Sequence, residues 1–301
     1  MLLLFLIEQT KISEGLIYNL SAALASGVII AILASVLLPF FESLFDVTTN
    51  LKLLELSNLH HPALKNLISK ASGTFQHSVV VGNLAEAGAH RIGANPLLAR
   101  VGAYYHDIGK GEDPEYFYEN KPPNVRNPHD DLAPEESARI IIGHLKKGAD
   151  LADQYRLGTA IKDIMLQHHG TAQVKYFLNK AKQQTLEAGK GAPLDEEAYR
   201  YPGPAPQNTE AALVMLADMC EASTRSIESP TQEAITAMVN KVCWRTLEEG
   251  HLDDSGLTLK KFKLILDEYI AVLCQIHHSR ISYPEETSEH RPQQQQGALY
   301  I

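Results

Sequence analysis

The sequence predicts an all-α protein, a helical bundle preceded by one membrane-spanning helix. Three observations predict it. Helix caps and stops recur along most of the chain, strand-like alternation is scarce, and 26 consecutive residues from Leu16 to Phe41 carry no charge. As a helix that run would be roughly 39 Å long, and about 20 residues suffice to cross a bilayer core. Glu14 and Glu42 bracket it. Ala23, Gly27, Ala31 and Ser35 recur every four positions, a spacing that permits close helix approach and so a homodimer. Lys11 and Lys52 lie on opposite sides, so the positive-inside rule leaves the orientation open. Residues 1–15 are read as a separate N-terminal remnant. Their MLLLFLI run is too short to span and lacks the basic flank of a signal peptide.

A soluble helical domain is expected over 43–283. Thr74 is expected to cap a helix reaching about Ile92. Asn95-Pro96 gives an N-cap followed by Pro at the first helical position, and Gly109 is placed to end that helix. Pro134 starts another, which Gly148 is expected to close. A helix from Gly158 to His169 stops at Gly170. One more runs from Asn208-Thr209 through Ile227, and the last cover Val242 to Leu247 and Leu259 to His277. Two long loops interrupt the pattern, at 111–133 and 183–207. Residues 284–301, rich in glutamine, read as a disordered tail.

The hydrophobic fraction is 45% and the charged fraction 21%, which excludes a disordered, collagen-like or disulfide-stapled chain. A net charge of -9 argues against a nucleic-acid polymer as partner. An anionic substrate would have to be held locally, by metals or a few basic side chains. Cys220, Cys243 and Cys274 form no CxxC pair and read as buried thiols in a reducing compartment.

The 13 histidines hold the functional signal. His77 falls in the first turn after Thr74. His106-Asp107 ends the second helix of the domain, His144 precedes Gly148 by one turn, His168-His169 precede Gly170, and Asp218 lies mid-helix. Apolar neighbours surround most of them (AYYHDIG, IIIGHLK, IMLQHHG, VMLADMC), so these polar groups tend to be buried and need partners. Taken singly, His144, His168 and His169 could each simply complement a helix dipole. His77 does not fit that account, because a charged imidazole is unfavourable in a first turn.

The order H…HD…H…HH…D resembles the HD-domain phosphohydrolases, whose helical bundle builds a mono- or dinuclear metal centre. The stretches AYYHDIGK, NPHDDLAPEESARIIIGH, IMLQHHGTAQVKYF and YPGPAPQNTEAALVMLADMCEASTRSI are similar to the seven-transmembrane HD phosphodiesterases of the PgpH type, from about Leu16 to Tyr283. That resemblance implies hydrolysis of cyclic di-AMP to linear pApA by hydroxide generated between two metals, in a cytoplasmic domain anchored at the cell membrane. It implies His77, His106, Asp107, His144, His168, His169 and Asp218 as ligands. Asp107 would bridge, with His77, His106 and Asp218 completing one shell and His144, His168 and His169 the other. Imidazole and carboxylate donors suit divalent Fe or Mn. Gln76 stands where many relatives carry a second histidine. The several earlier membrane helices and the large extracytoplasmic domain of the family are not in this chain.

Other residues have two readings each. Lys110 follows the His106-Asp107 pair and could contact phosphate or be a solvated helix-end lysine. Arg225, one helical face on from Asp218, could bind phosphate or pair with Asp218 or Glu221. Asn127, His129 and Asp130 line the pocket or form a capped turn. Tyr176 and Tyr201 stack on adenine or pack. The rival substrates are cyclic di-GMP, a nucleotide triphosphate and an alarmone. Gly170-Thr171-Ala172 after the histidine pair disfavours the cyclic di-GMP group, which usually has a GYP motif nearby. A non-catalytic cyclic-dinucleotide-binding membrane module is the rival from another class.

Overall fold

The computed structural model describes residues 2–278 apart from 46, 123 and 188–193, so the expected tail at 284–301 lies outside the described residues. Eleven α-helices are described: α1 (Leu2–Phe45), α2 (Asn50–Leu56), α3 (Pro62–Lys70), α4 (Ser72–Ile92), α5 (Pro96–Tyr105), α6 (Pro134–Gln154), α7 (Thr159–Gln167), α8 (Lys175–Glu187), α9 (Thr209–Arg225), α10 (Gln232–Glu248) and α11 (Leu259–His278). Among the described residues there is no β-strand, only an isolated bridge between Gln173 and Arg200. The all-α expectation holds.

The apolar run lies inside α1, whose stretch Gly15–Glu42 is long and apolar enough to cross a membrane. Its large side chains, Leu20, Leu24, Ile30 and Val36 among them, are exposed. The expected N-terminal remnant and the span share one uninterrupted helix.

Local signals set several boundaries as expected. Asn95 Oδ1 accepts from the Leu98 N–H, with Pro96 at the first helical position, and Asn208 Oδ1 caps α9 through the Ala211 N–H. Gly170, at φ 52°, sits beyond the end of α7 in the left-handed region where a β-carbon is strained.

Other boundaries differ. α4 begins at Ser72 and its N-cap, Ala71, makes no side-chain cap bond. Thr74 therefore lies inside the helix, and His77 is in its second turn, where the dipole argument loses force. α5 ends at Tyr105, and Gly109 belongs to a following 3-10 turn, Ile108–Glu112. α6 passes through Gly148 to Gln154. The loop expected at 183–207 begins later because α8 extends to Glu187, and α10 is longer than Val242 to Leu247. The long segment 111–133 is organised by short 3-10 turns. Cys220 and Cys243 are buried as expected, whereas Cys274 is half-buried.

Apolar stripes of α4, α5, α9, α10 and α11 meet in the larger core, built around Leu84, Leu213, Leu216, Val239, Phe262 and Tyr269. A second cluster joins α2 and α3 to α5 and α7 through Leu56, Leu64, Tyr105 and Ile161. α4, α5 and α9 pack on one another, and α6 and α7 close the bundle beside them. The site residues project into the space these helices enclose.

Candidate metal centre

The fold brings all seven expected ligands together. α4 supplies His77, the end of α5 supplies His106 and Asp107, α6 supplies His144, the end of α7 supplies His168 and His169, and α9 supplies Asp218. Asp107 lies between two groups. Its Oδ2 is 3.1 Å from His106 Nε2 and 3.7 Å from His77 Nε2. Its Oδ1 is 3.3 Å from His144 Nε2 and 3.6 Å from His168 Nε2. Asp218 Oδ1 approaches His77 Nε2 at 3.0 Å and His106 Nε2 at 3.9 Å, while its Oδ2 is 3.8 Å from His169 Nδ1.

The helix backbone decides which ring nitrogen faces the centre. Nδ1 of His106, His144 and His168 lies 2.7, 2.6 and 2.7 Å from the carbonyl three residues earlier, of Ala103, Ile141 and Met165. A carbonyl oxygen only accepts, so each Nδ1 donates its proton there and each Nε2 of the neutral ring presents a lone pair. All three Nε2 atoms, and both Asp107 oxygens, are buried without a hydrogen-bond partner. Lone pairs of nitrogen and carboxylate oxygen thus face each other in a buried site, an arrangement that costs free energy unless a cation lies between them. The donor set fits divalent metal. Asp107, His144, His168 and His169 offer one convergent group, and His77, His106 and Asp107 another.

The surroundings tune these groups. Burial opposes ionisation of Asp107, but the neighbouring His106 and the charge of Lys110 outweigh it and hold the carboxyl well below its usual range. Burial likewise opposes ionisation of Asp218, and the His77 hydrogen bond and charge reverse that. For His77 burial lowers the imidazole pKa, yet the bonds and charges of Asp218 and Glu221 raise it to about 9. Burial pushes His144 down to about 4 and, with the neighbouring His168, holds His169 well below the normal imidazole value.

Lys110 is no solvated lysine. Its ammonium forms an ion pair with Asp107 Oδ2 at 2.7 Å and donates a hydrogen bond to Glu119 Oε1 at 3.1 Å. Arg225 takes its pairing role with Glu221, donating from Nη2 to Oε2 at 2.7 Å. Tyr201 is buried and stacks on the His169 ring, centroids 4.3 Å apart. His129 is packed between Tyr116 and Phe177, with Nε2 donating to the Tyr116 carbonyl at 3.0 Å. Asn127 caps that turn by accepting from the His129 N–H, while Tyr176 is exposed. His129 lines a cavity of about 460 Å³ and Arg225 one of about 450 Å³, and Tyr118, Glu119 and Lys121 border both.

One supporting residue was missed in the sequence. Glu221 Oε2 bonds His77 Nδ1, which aims the other ring nitrogen at the centre. Its signal was present, since Glu221 follows Asp218 by three positions on the same helical face.

The model of the family described as HD domain matches residues 74–223, the segment that holds every one of these ligands. A crystal structure of the PgpH HD domain from Listeria monocytogenes superposes with a TM-score of 0.68 at 43% identity, covering 73% of this chain and 100% of that one. The chain belongs to the HD-domain family, in its PgpH branch. A second Listeria structure, of the PgpH HD domain in complex with cyclic di-AMP, matches with the same TM-score and identity, covering 73% of this chain and 99% of that one. The cyclic-di-AMP phosphodiesterase PgpH of Bacillus subtilis is 43% identical over 95% of this chain and 39% of its own length. The chain thus spans about two fifths of the length of the curated relatives it matches.

Proposed function

We propose that this chain is an HD-type phosphoric diester hydrolase that converts cyclic di-AMP to linear pApA. The observation that carries the reading is the set of three buried imidazole lone pairs facing the two oxygens of Asp107. The relatives named as cyclic-di-AMP phosphodiesterases support the choice of substrate. Two divalent transition-metal ions, Fe or Mn by donor type, when bound supply Lewis acidity and offset the charge of the phosphate oxygens. His77, His106 and Asp218 would hold one and His144, His168 and His169 the other, with Asp107 offering one oxygen to each.

The remaining residues position these ligands and the substrate. The carbonyls of Ala103, Ile141 and Met165 lock three rings in one tautomer. Glu221 orients His77, and Tyr201 backs His169. Lys110 keeps a fixed positive charge beside Asp107 where an anionic phosphodiester would arrive. Arg225 and His129 border the two cavities and are the proposed substrate contacts outside the cluster.

Residues 16–41 would anchor the domain 43–283 on the cytoplasmic side of the cell membrane, with small residues permitting a dimer. The test is a metal-supplemented hydrolysis assay of the whole chain with cyclic di-AMP, cyclic di-GMP and pApA side by side. Release of pApA from cyclic di-AMP, abolished by chelator, is expected. Preferred turnover of cyclic di-GMP, or tight binding without turnover in metal-replete protein, would overturn the reading.

A further inference from the structure

Glu119 is a half-buried carboxylate, its side chain 12% exposed, with no role among the metal ligands. It lines the wall of both cavities, and its side chain bonds to Lys110 and Thr74 rather than to a metal ligand. Its Oε1 accepts from Lys110 Nζ at 3.1 Å and from the Thr74 hydroxyl at 3.2 Å. The next residue, Asn120, clasps the same turn of α4. Its Oδ1 accepts from the Thr74 N–H at 3.0 Å, and its Nδ2 donates to Thr74 Oγ1 at 2.9 Å. The wall is therefore fastened to α4 one turn before His77.

Lys110 has a long flexible stem, and an ammonium on such a stem does not hold one position without partners. Asp107 Oδ2 lies on one side of it at 2.7 Å and Glu119 on the other. Phe117 covers it, with Nζ 5.2 Å from the ring centroid. Asp107 also faces His77 and His106 through that same oxygen. Any cation held there would compete with Lys110 for the oxygen's lone pairs, which leaves Glu119 as the partner that does not depend on the centre.

We propose that Glu119 is a positioning residue that holds the Lys110 ammonium beside the reacting phosphate and ties it to the wall of the substrate cavities. It is bonded to none of the metal ligands and acts through Lys110. The inference rests on the phosphodiesterase reading for its kinetic consequence, but the placement of Lys110 can be tested without turnover.

The experiment uses the whole chain with Glu119→Gln, which keeps the shape and the Thr74 hydrogen bond and removes the charge. Amine acetylation by acetic anhydride, quantified by mass spectrometry, reads Lys110 directly. Labelling of Lys110 is expected to rise about tenfold, with Lys121, in the same wall, unchanged. A kinetic cycle with Lys110→Met then separates positioning from general loosening. Glu119→Gln is expected to lower kcat about tenfold with KM within twofold, and to have no further effect once Lys110 is Met. Unchanged Lys110 labelling, or equal losses in both backgrounds, would overturn the proposal. If Glu119→Gln does not fold, Glu119→Asp carries the same two measurements. A wild-type chain inert toward cyclic di-AMP would remove the function reading alone, because the labelling result stands by itself.

Discussion

Gly109 and Gly148 meet backbone to backbone, so that a β-carbon built on Gly109 would lie 2.5 Å from the Gly148 nitrogen and closer still to the His144 carbonyl oxygen. The contact presses the turn after Asp107 against the helix that bears His144. It sets how closely the turn after Asp107 approaches α6 through backbone contact, without any side chain. Both glycines read as helix terminators in the sequence, and neither ends a helix.

Gly109→Ala is therefore expected to destabilise the chain by about 1–3 kcal/mol or more, the usual range for overpacking a closed contact. Thermal unfolding in detergent measures it. Metal content should fall with it, since the methyl can be accommodated only by moving α6 away from Asp107. A variant as stable as wild type would mean that the close approach is not present in solution.

Removing the bridge should be more severe than removing a support. His106→Ala with Asp107→Ala is expected to lower cyclic di-AMP hydrolysis by more than about 100-fold, beyond the loss usual for a supporting group. Chelation should have the same effect on the unsubstituted chain and add nothing to the double variant. Full activity in the double variant would eliminate the dinuclear reading.

Glu221→Gln probes the support of His77. The carboxylate on Nδ1 raises the basicity of the ring and fixes its orientation, so metal affinity should drop by about 10–100-fold. Competition with a chelator of known affinity reads this directly. Arg225→Gln should lower affinity less, because Arg225 acts on His77 chiefly through Glu221.

Stripped of metal, the chain should be most stable near pH 6.5, for two opposed reasons. Burial lowers His144 from 6.5 to about 4, so the unfolded state binds the extra proton and stability is lost as pH falls through that window. His77 is raised from 6.5 to about 9 as Asp218 and Glu221 outweigh its burial, so its contribution is complete below 6.5 and lost as pH rises toward 9. Either group alone changes stability by at most about 1.4 kcal/mol per pH unit. Denaturant melts across pH should show His144→Gln flattening the acid side in part, since His169 is lowered in the same direction, and His77→Gln flattening the alkaline side. Asp107 and Asp218 act only below about pH 4 and do not confuse the comparison.

Much was determined by sequence alone. Caps at Asn95 and Asn208, the proline starts of α5 and α6, and the uncharged stretch within α1 are local features, readable because backbone capping and hydrophobic length act over a few residues. The seven-residue ligand set was legible for a different reason, the resemblance of the order H…HD…H…HH…D to the HD-domain phosphohydrolases; apolar neighbours indicated only that most of these groups are buried and need partners. Tertiary structure alone decided what those partners were. That Lys110 is clamped between Asp107 and Glu119, that Glu221 aims His77 from 144 positions away, and that Gly148 receives a neighbouring turn rather than stopping a helix all depend on which segments pack together. Such contacts leave no period in the chain, because a hydrogen bond or a close approach constrains distance in space and not separation in sequence.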